Sequence, residues 1–446
     1  VYLPSISRRL TVVCTTLLLA AGLVVSATTT ATAADSLTDL NLGDGTRVGH
    51  TAVGGGKVFI AVEDRIVVAD TQGALTGTIN DLAEPRGLAA SADGTRLYAT
   101  LRGSNEVAEI DTATVAVIRR IDMAAYPCPD GLALSGHTLW VAYGCYGGGT
   151  GAGLSLNMSA DTPVPQPVPL ESPFYGAPKI ATAGNTLTLA YDSVMLVYDL
   201  QGETPSLRGR INASDHAHWN GWGEIALSPD GATAYVSPGA FNDFEVWDMT
   251  SLTRTRSYGQ EQGVYSYGTI AVSPDGSRVA LSRDGAQTES VALFDTATGE
   301  KTGVFNASVD RVLPGSLAFS GTDLFAVAEA SLNVRHAYLW RIHGALLPPC
   351  KLTLTGPAET RRRNTATFTG RLTEADGSDP TVRQLTVSFR GLGRITTLPS
   401  VTTNPDGTFT FTHAPNVASL LTYVISRDNT PDSRRCTAAT NVNVLW

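Results

Sequence analysis

The chain contains no Cys-x2-Cys pair, no Gly-x-Ser-x-Gly elbow, and no glycine-rich stretch that runs into Lys-Ser or Lys-Thr. The first absence removes the usual frame of a zinc ribbon, the second the strained serine of an α/β-hydrolase, and the third a phosphate-cradling loop. Gly147 to Gly153 is rich in glycine but lacks the lysine, and reads as a plain surface loop. Basic residues are scarce: 32 Lys and Arg stand against 41 Asp and Glu, for a net charge of −9. A surface of that sign repels phosphate backbones, so nucleic acid is not an expected partner. Arg361, Arg362 and Arg363 are a local exception, expected to form the solvated edge of a hairpin. Cysteine is sparse as well, with five residues, of which Cys14 lies in an apolar run near the start.

That run has the features of a secretory signal. Arg8 and Arg9 precede an uncharged stretch from Leu10 to Val25, and Ala31-Thr32-Ala33 supplies a small-x-small cleavage pattern. The stretch falls short of the roughly 20 residues needed to span a bilayer. Residues 1–33 are therefore expected to be a signal peptide cut after Ala33, giving a soluble, extracellular, monomeric product with no inserted segment. Val13 ahead of Cys14 is not the small residue that lipid attachment asks for. Removal of two arginines and no acid moves the net charge from −9 to −11.

The strongest organising signal is a recurring phrase: a small residue, an apolar pair, Ser, a turn, and an alternating strand. It reads Gly87-Leu-Ala-Ala-Ser-Ala-Asp-Gly94, Gly131-Leu-Ala-Leu-Ser-Gly136, Lys179-Ile-Ala-Thr-Ala-Gly184 and Glu224-Ile-Ala-Leu-Ser-Pro-Asp-Gly231. Thr269-Ile-Ala-Val-Ser-Pro-Asp-Gly276 and Ser316-Leu-Ala-Phe-Ser-Gly321 follow, and His50-Thr-Ala-Val-Gly-Gly-Gly56 is a weaker copy. From Leu88 through Leu132, Ile180, Ile225, Ile270 and Leu317 the steps are 44, 48, 45, 45 and 47 residues. A period in the forties with four strands per unit is the mark of a propeller. Seven copies predict seven blades over residues 34–346. The last copy runs out after its third strand, at Ala337 to His343, while Ser36 to Leu42 is an orphan strand ahead of the first copy. That segment is expected to supply the missing fourth strand and close the ring, leaving no exposed edge.

The Ser-Pro-Asp-Gly turns at 228 to 231 and 273 to 276 carry a resemblance to the YVTN and WD-repeat-like propellers of bacterial secreted and periplasmic proteins. The resemblance extends over residues 36 to 345. It implies architecture, because the fold hosts enzymes and scaffolds alike. From Cys350 onward the chain turns to Thr-rich alternation in six or seven short segments, which predicts a β-sandwich over residues 347–446. This part resembles the bacterial Ig-like domains appended to secreted proteins, in Pro405-Asp-Gly-Thr-Phe-Thr-Phe411 and Leu421-Thr-Tyr-Val424. The expected fold is all-β throughout.

Four cysteines remain after processing, two in each predicted domain, and an even count in an exported chain implies disulfides. Cys128 is expected to join Cys145, and Cys350 to join Cys436, the latter at the starts of a first and a last strand that could pair in parallel. A zinc site built from all four thiolates is the alternative, and it would need ligands from both domains.

Function is expected on the face where the long loops open. Loops on a rigid scaffold carry recognition, and exposed rings stack on sugars or pack on peptide side chains. The candidates for ligand contact are Tyr126, Tyr175, Trp219, Trp222, Tyr265 and Tyr267. In an extended Asp215-His216-Ala-His218 segment the two imidazoles share a side and could hold a metal, with Asp215 or Glu224 as a third ligand. A polar loop whose histidines bond locally is the simpler reading. No catalytic residue and no cofactor is expected. The pattern points to a non-catalytic module for an extracellular glycan, peptide or protein. The alternative is a lactonase-like hydrolase or a metal-dependent enzyme on the same face, the former because the resembling superfamily includes seven-bladed hydrolases of that kind.

Overall fold

The computed structural model describes residues 35–446 except 44, 149, 193, 203, 213–221, 239–243, 259–266, 284–289, 308–309, 332–334, 376, 381, 393 and 429–433. At 238, 267, 283, 331 and 335 it describes the backbone alone. Among the described residues every regular element is a strand.

Short alternating strands cannot bury an apolar face singly, so successive strands pair into antiparallel meanders. Six sheets of four strands follow one another in chain order. The first holds Val48–Gly54, Lys57–Val62, Arg65–Asp70 and Leu75–Ile79, and the sixth Tyr267–Val272, Arg278–Arg283, Val291–Asp295 and Lys301–Phe305. The next sheet contains Arg311–Val312, Ala318–Ser320, Asp323–Ser331 and Arg335–Ile342, and takes its outer strand from far upstream. Ser36–Asp39 pairs antiparallel with Arg335–Ile342, Leu37 opposite Trp340. The first strands of consecutive sheets neighbour one another, and Val48–Gly54 also lies against Ala318–Ser320, so the sheets form a ring around an axis. Apolar layers fill the space between sheets; Phe59 and Val68 of the first share a core with Leu97 and Ala108 of the second.

The turns explain the recurring aspartates. Asp111, Asp248 and Asp295 end third strands, and each accepts backbone N–H bonds from the second and third residues after it, as at Ala113 and Thr114. In the Ser-x-Asp-Gly turns Gly94 takes φ +70°, and the hydroxyls of Ser91, Ser228 and Ser273 donate to Asp93, Asp230 and Asp275. The Ser91 hydroxyl, aided by Thr95, brings Asp93 down to about 2. Asp230 and Asp275 are lowered by Ser228 and Ser273, and Asp111, Asp248 and Asp295 by the amides of Thr114, Ser251 and Thr298. A carboxylate held lower in the folded state than in the unfolded one stabilises the fold fully above the unfolded value, about 4, and loses that contribution as pH falls through the folded value. Thermal midpoints should therefore hold level from about pH 7 to about pH 5 and fall below about pH 4. A midpoint flat across that acid range would contradict this account of the turns.

The remaining strands form two sheets. One contains Lys351–Leu352, Ala366–Thr373 and Thr408–His413; the other contains Glu359–Arg361, Cys436–Leu445, Leu420–Arg427, Gln384–Gly391 and Arg394–Thr402. Phe368, Leu372, Leu385, Phe409, Tyr423 and Val442 are buried between them. The disulfide Cys350–Cys436 forms as expected, with Cα atoms 5.4 Å apart. Its setting differs from a parallel pairing of first and last strands. Beyond one parallel bridge at Pro349 and Arg434, Lys351–Leu352 pairs with Ala366–Thr373. The parallel partner of the last strand is Glu359–Arg361, reached after Gly356-Pro357 breaks the first run. The disulfide thus ties one sheet to the other. Arg434 anchors this part on the ring: its guanidinium donates to Thr302 O at 2.7 Å and Ala345 O at 3.4 Å and lies 5.2 Å from the Phe305 ring.

Candidate functional site

Connections between sheets, and those from second to third strands, open on the same face of the ring. Cys128 precedes Pro129–Ser135 and Cys145 follows Thr138–Tyr143, and the two are joined with Cα atoms 5.1 Å apart. The bond pins the loop beyond Tyr143, which then pairs with the segment leading to the next sheet. Gly151 and Phe174 exchange N–H···O bonds of 2.8 and 2.7 Å, and Gly147 N–H donates to Tyr175 O at 3.1 Å. A Cβ on Gly151 would lie 1.9 Å from Gly176 O, so the loops approach this closely only because position 151 is bare.

On this platform Tyr146 and Tyr175 meet edge to face, centroids 6.3 Å apart, and are 84% and 60% exposed. Phe174 is buried between them and the core, 5.9 Å from the ring of Tyr191. Burial pushes the Tyr191 phenol up. Beside Phe174 opens a groove of about 900 Å³, walled by Leu170, Leu196, Tyr198 and Leu207, with an Arg210–Glu171 ion pair of 3.0 Å at its rim. The groove has a sequence cause. The outer strand of the third sheet is only Gln166–Pro167, since prolines at 163, 165, 167 and 169 withhold ladder donors, and the fourth sheet stays uncovered there. Tyr198 donates to Pro169 O at 2.8 Å, and burial raises it to about 12.

The other expected contact residues are distributed differently. Tyr126 is half-buried, edge-on to Tyr143 at 5.1 Å. Trp222 is 8% exposed and packs in a core with Val197, Leu227 and Trp247. Tyr267 begins a strand of which only the backbone is described at that position. Trp219, Tyr265, Asp215, His216 and His218 lie outside the described residues. Glu224 accepts from the Thr269 hydroxyl at 2.6 Å and from Ile270 N–H at 3.3 Å, both through Oε2. Among the described residues no three His, Cys, Asp or Glu side chains are grouped to hold a metal.

A second cluster, outside the sequence-based expectations, surrounds the axis. Five first strands shift register at equivalent places, leaving the pairs Gly49-His50, Arg86-Gly87, Asp130-Gly131, Gly223-Glu224 and Gly268-Thr269 in bulges. Each bulge joins one glycine to one polar residue, and bulges of this kind re-aim side chains. At the first two the glycine meets the next sheet: a Cβ would stand 2.7 Å from Arg86 O at Gly49 and 2.4 Å from Asp130 O at Gly87. Lys179 holds the equivalent position in the fourth sheet, without a bulge. Burial lowers the His50 imidazole; Glu224 and Asp130 oppose the shift, while Lys179 and Arg86 add to it. Groups from four other sheets therefore act on this one imidazole. Among the described residues, Arg86 Nε and Glu224 Oε1 are buried without a hydrogen-bond partner. The glycine-polar doublet ahead of each apolar pair is the signal by which the sequence could have shown the cluster.

No protein-family model and no curated protein matches the chain. Solved structures do. The β-propeller domain of Cps50 (Swd1) from Myceliophteria thermophila aligns with a TM-score of 0.50 at 12% identity, covering 69% of this chain and 99% of that one. Hydrazine synthase of Kuenenia stuttgartiensis aligns at 0.48 and 16% identity, covering 64% and 94%. The extracellular domain of a one component system from B. thetaiotaomicron aligns at 0.49 and 12% identity, covering 92% and 60%. At such identities the likeness speaks to fold alone, and with the all-strand ring it makes this chain a β-propeller protein.

Proposed function

We propose that this is a secreted, non-catalytic binding protein whose seven-bladed propeller presents its loop face to an extracellular glycan, peptide or protein. In this reading residues 1–33 direct export, Ser36 to Leu42 closes the seventh blade, and residues 347–446 form an Ig-like sandwich that spaces or supplements the propeller. Two disulfides suit an oxidising compartment. The observation that carries the proposal is the Tyr146–Tyr175 pair. Two large rings stand in solvent on a backbone platform held by a disulfide and paired loops, where rigid aromatics give contact area at low entropic cost. Nothing in the core requires them.

The test is a screen of immobilised extracellular glycans and peptides with the full chain, followed by the Tyr146→Ala/Tyr175→Ala double variant. Captured ligand should bind the variant at least about tenfold more weakly, since a central aromatic contact contributes about 1–2 kcal/mol or more. The thermal midpoint should stay within about 2 °C, as both rings are exposed. Capture undiminished by the double substitution would remove the platform from the binding face.

A further inference from the structure

We propose that the free end of the C-terminal five-stranded sheet docks on an anionic lipid surface. Five adjacent strands have a terminus at this end, in the order Glu359–Arg361, Cys436–Leu445, Leu420–Arg427, Gln384–Gly391 and Arg394–Thr402. Neighbouring strands lie about 4.8 Å apart, so their tips share a strip about 20 Å wide. Arg361 pairs with Leu445, Leu420 with Asn443, and Arg390 with both Thr422 and Ile395. Cross-strand partners project to one face, so Arg361, Leu445, Leu420, Arg390 and Ile395 stand together on the outer face of the sheet. Hydrogen bonds tie the flanking loops to the strip. Arg362 N–H donates to Leu445 O at 2.8 Å, its guanidinium to Asn416 O at 2.7 Å, and Arg363 N–H to Pro415 O at 2.7 Å. The Arg362 guanidinium also lies 5.4 Å from the Trp446 ring. A Cβ on Gly391 would lie 3.9 Å from Leu420 O, which sets the turn at Leu392 against Leu420.

The strip is apolar and basic at once. Leu392, Ile395, Leu420 and Trp446 are 72%, 72%, 60% and 86% exposed. Arg361, Arg363, Arg390 and Arg394 are exposed and Arg362 is half-buried, and among the described residues none of the five forms an ion pair. Glu359 is the one acid in residues 359–365, 390–395, 413–420 and 443–446, in a chain where 41 acids outnumber 32 bases. Charge alone would suit any polyanion. Aliphatic side chains and an indole offered beside it call for an apolar phase just beneath an anionic plane, which is the build of a headgroup layer over acyl chains. Docking is peripheral: side chains enter the interface and no segment crosses. The Arg434 contact with the ring lies at the other end of Cys436–Leu445, about 30 Å along the strand, so docking leaves that anchor undisturbed. This surface is separate from the tyrosine platform, and each can fail without the other.

Sedimentation with vesicles tests the docking on the processed chain, residues 34–446, because the apolar run of residues 10–25 would itself enter lipid. Phosphatidylcholine vesicles with about one third phosphatidylglycerol should bind at least about tenfold more tightly than phosphatidylcholine alone, as each arginine at an anionic surface adds a factor of about five. Arg361→Gln/Arg363→Gln should weaken binding to the anionic vesicles by about tenfold or more, and Leu392→Ser/Ile395→Ser by a similar factor. All four side chains are exposed, so both variants should keep the thermal midpoint within about 2 °C. Anionic vesicles should also shift tryptophan emission to the blue, a shift lost in Trp446→Phe. Equal binding to both vesicle types, or binding unchanged by the arginine pair, overturns the proposal. So does binding that survives Leu392→Ser/Ile395→Ser and is matched by soluble polyphosphate, which identifies a charged polymer as the partner instead.

Discussion

A chain lacking Ser36–Leu42 is expected to lose cooperative folding of the whole ring. Four residue pairs join Ser36–Asp39 to Arg335–Ile342, and Leu40 N–H adds a bond to Ala337 O at 2.9 Å. Leu40 is 3% exposed and packs with Val58, Ile60, Phe325 and Leu339, so it belongs to the layer between the first and last sheets. Burial of such a leucine contributes about 2 kcal/mol, and each backbone bond about 1 kcal/mol. Together these approach the roughly 5–15 kcal/mol that stabilises an entire domain. The truncated chain should lose the urea transition of the ring at 25 °C by circular dichroism, where the intact chain shows it. A synthetic peptide of residues 35–43, added in trans, should restore the transition by strand addition. A truncated chain that melts within about 2 °C of the intact one would falsify the closure.

The second large effect concerns Cys350 and Cys436. They are 86 residues apart, and a cross-link over that length removes loop-closure entropy equivalent to about 4.5 kcal/mol from the unfolded chain. Both sulfurs lie in the core between the two C-terminal sheets, and Arg427, itself buried, donates to Cys350 Sγ at 3.0 Å. The Cys350→Ala/Cys436→Ala variant should therefore unfold its C-terminal sheets in a separate, earlier transition, visible as early proteolysis beyond residue 350. The ring, with its own disulfide, should persist. A single transition at the original midpoint would show that the cross-link contributes little.

The features that proved legible in the sequence share a cause. A phrase such as Glu224-Ile-Ala-Leu-Ser-Pro-Asp-Gly231 recurs because each sheet solves the same packing problem, so its period announced the propeller before any strand was placed. The cysteines paired as expected because Cys128 and Cys145 fall in loops of one face, and Cys350 and Cys436 in one sandwich-like segment. Depth was less legible. Trp222 looks like a loop aromatic but sits at the inner start of a strand, and ring chemistry alone does not tell a stacked surface residue from a packed one. Tyr146 and Tyr175 form a pair only because loops of adjoining sheets bond to each other, a contact that no local pattern encodes. The axial cluster was harder still. Five of the sheets each contribute one polar residue beside a glycine, a commonplace doublet, and the group exists only after the ring closes.

That closure also sets a timetable. Asp35 and His343, 308 positions apart, meet where the outer strand joins the last sheet. At about 5–20 residues per second, the strand made first waits roughly a quarter of a minute to a full minute before its partner exists. Throughout that interval the nascent protein carries an unpaired strand at one end and later offers an unpaired sheet edge at the other. Two chains emerging side by side can exchange these ends by strand swapping. Crowding of nascent chains should therefore favour intertwined dimers, whereas slow, sparse synthesis should favour closed monomers.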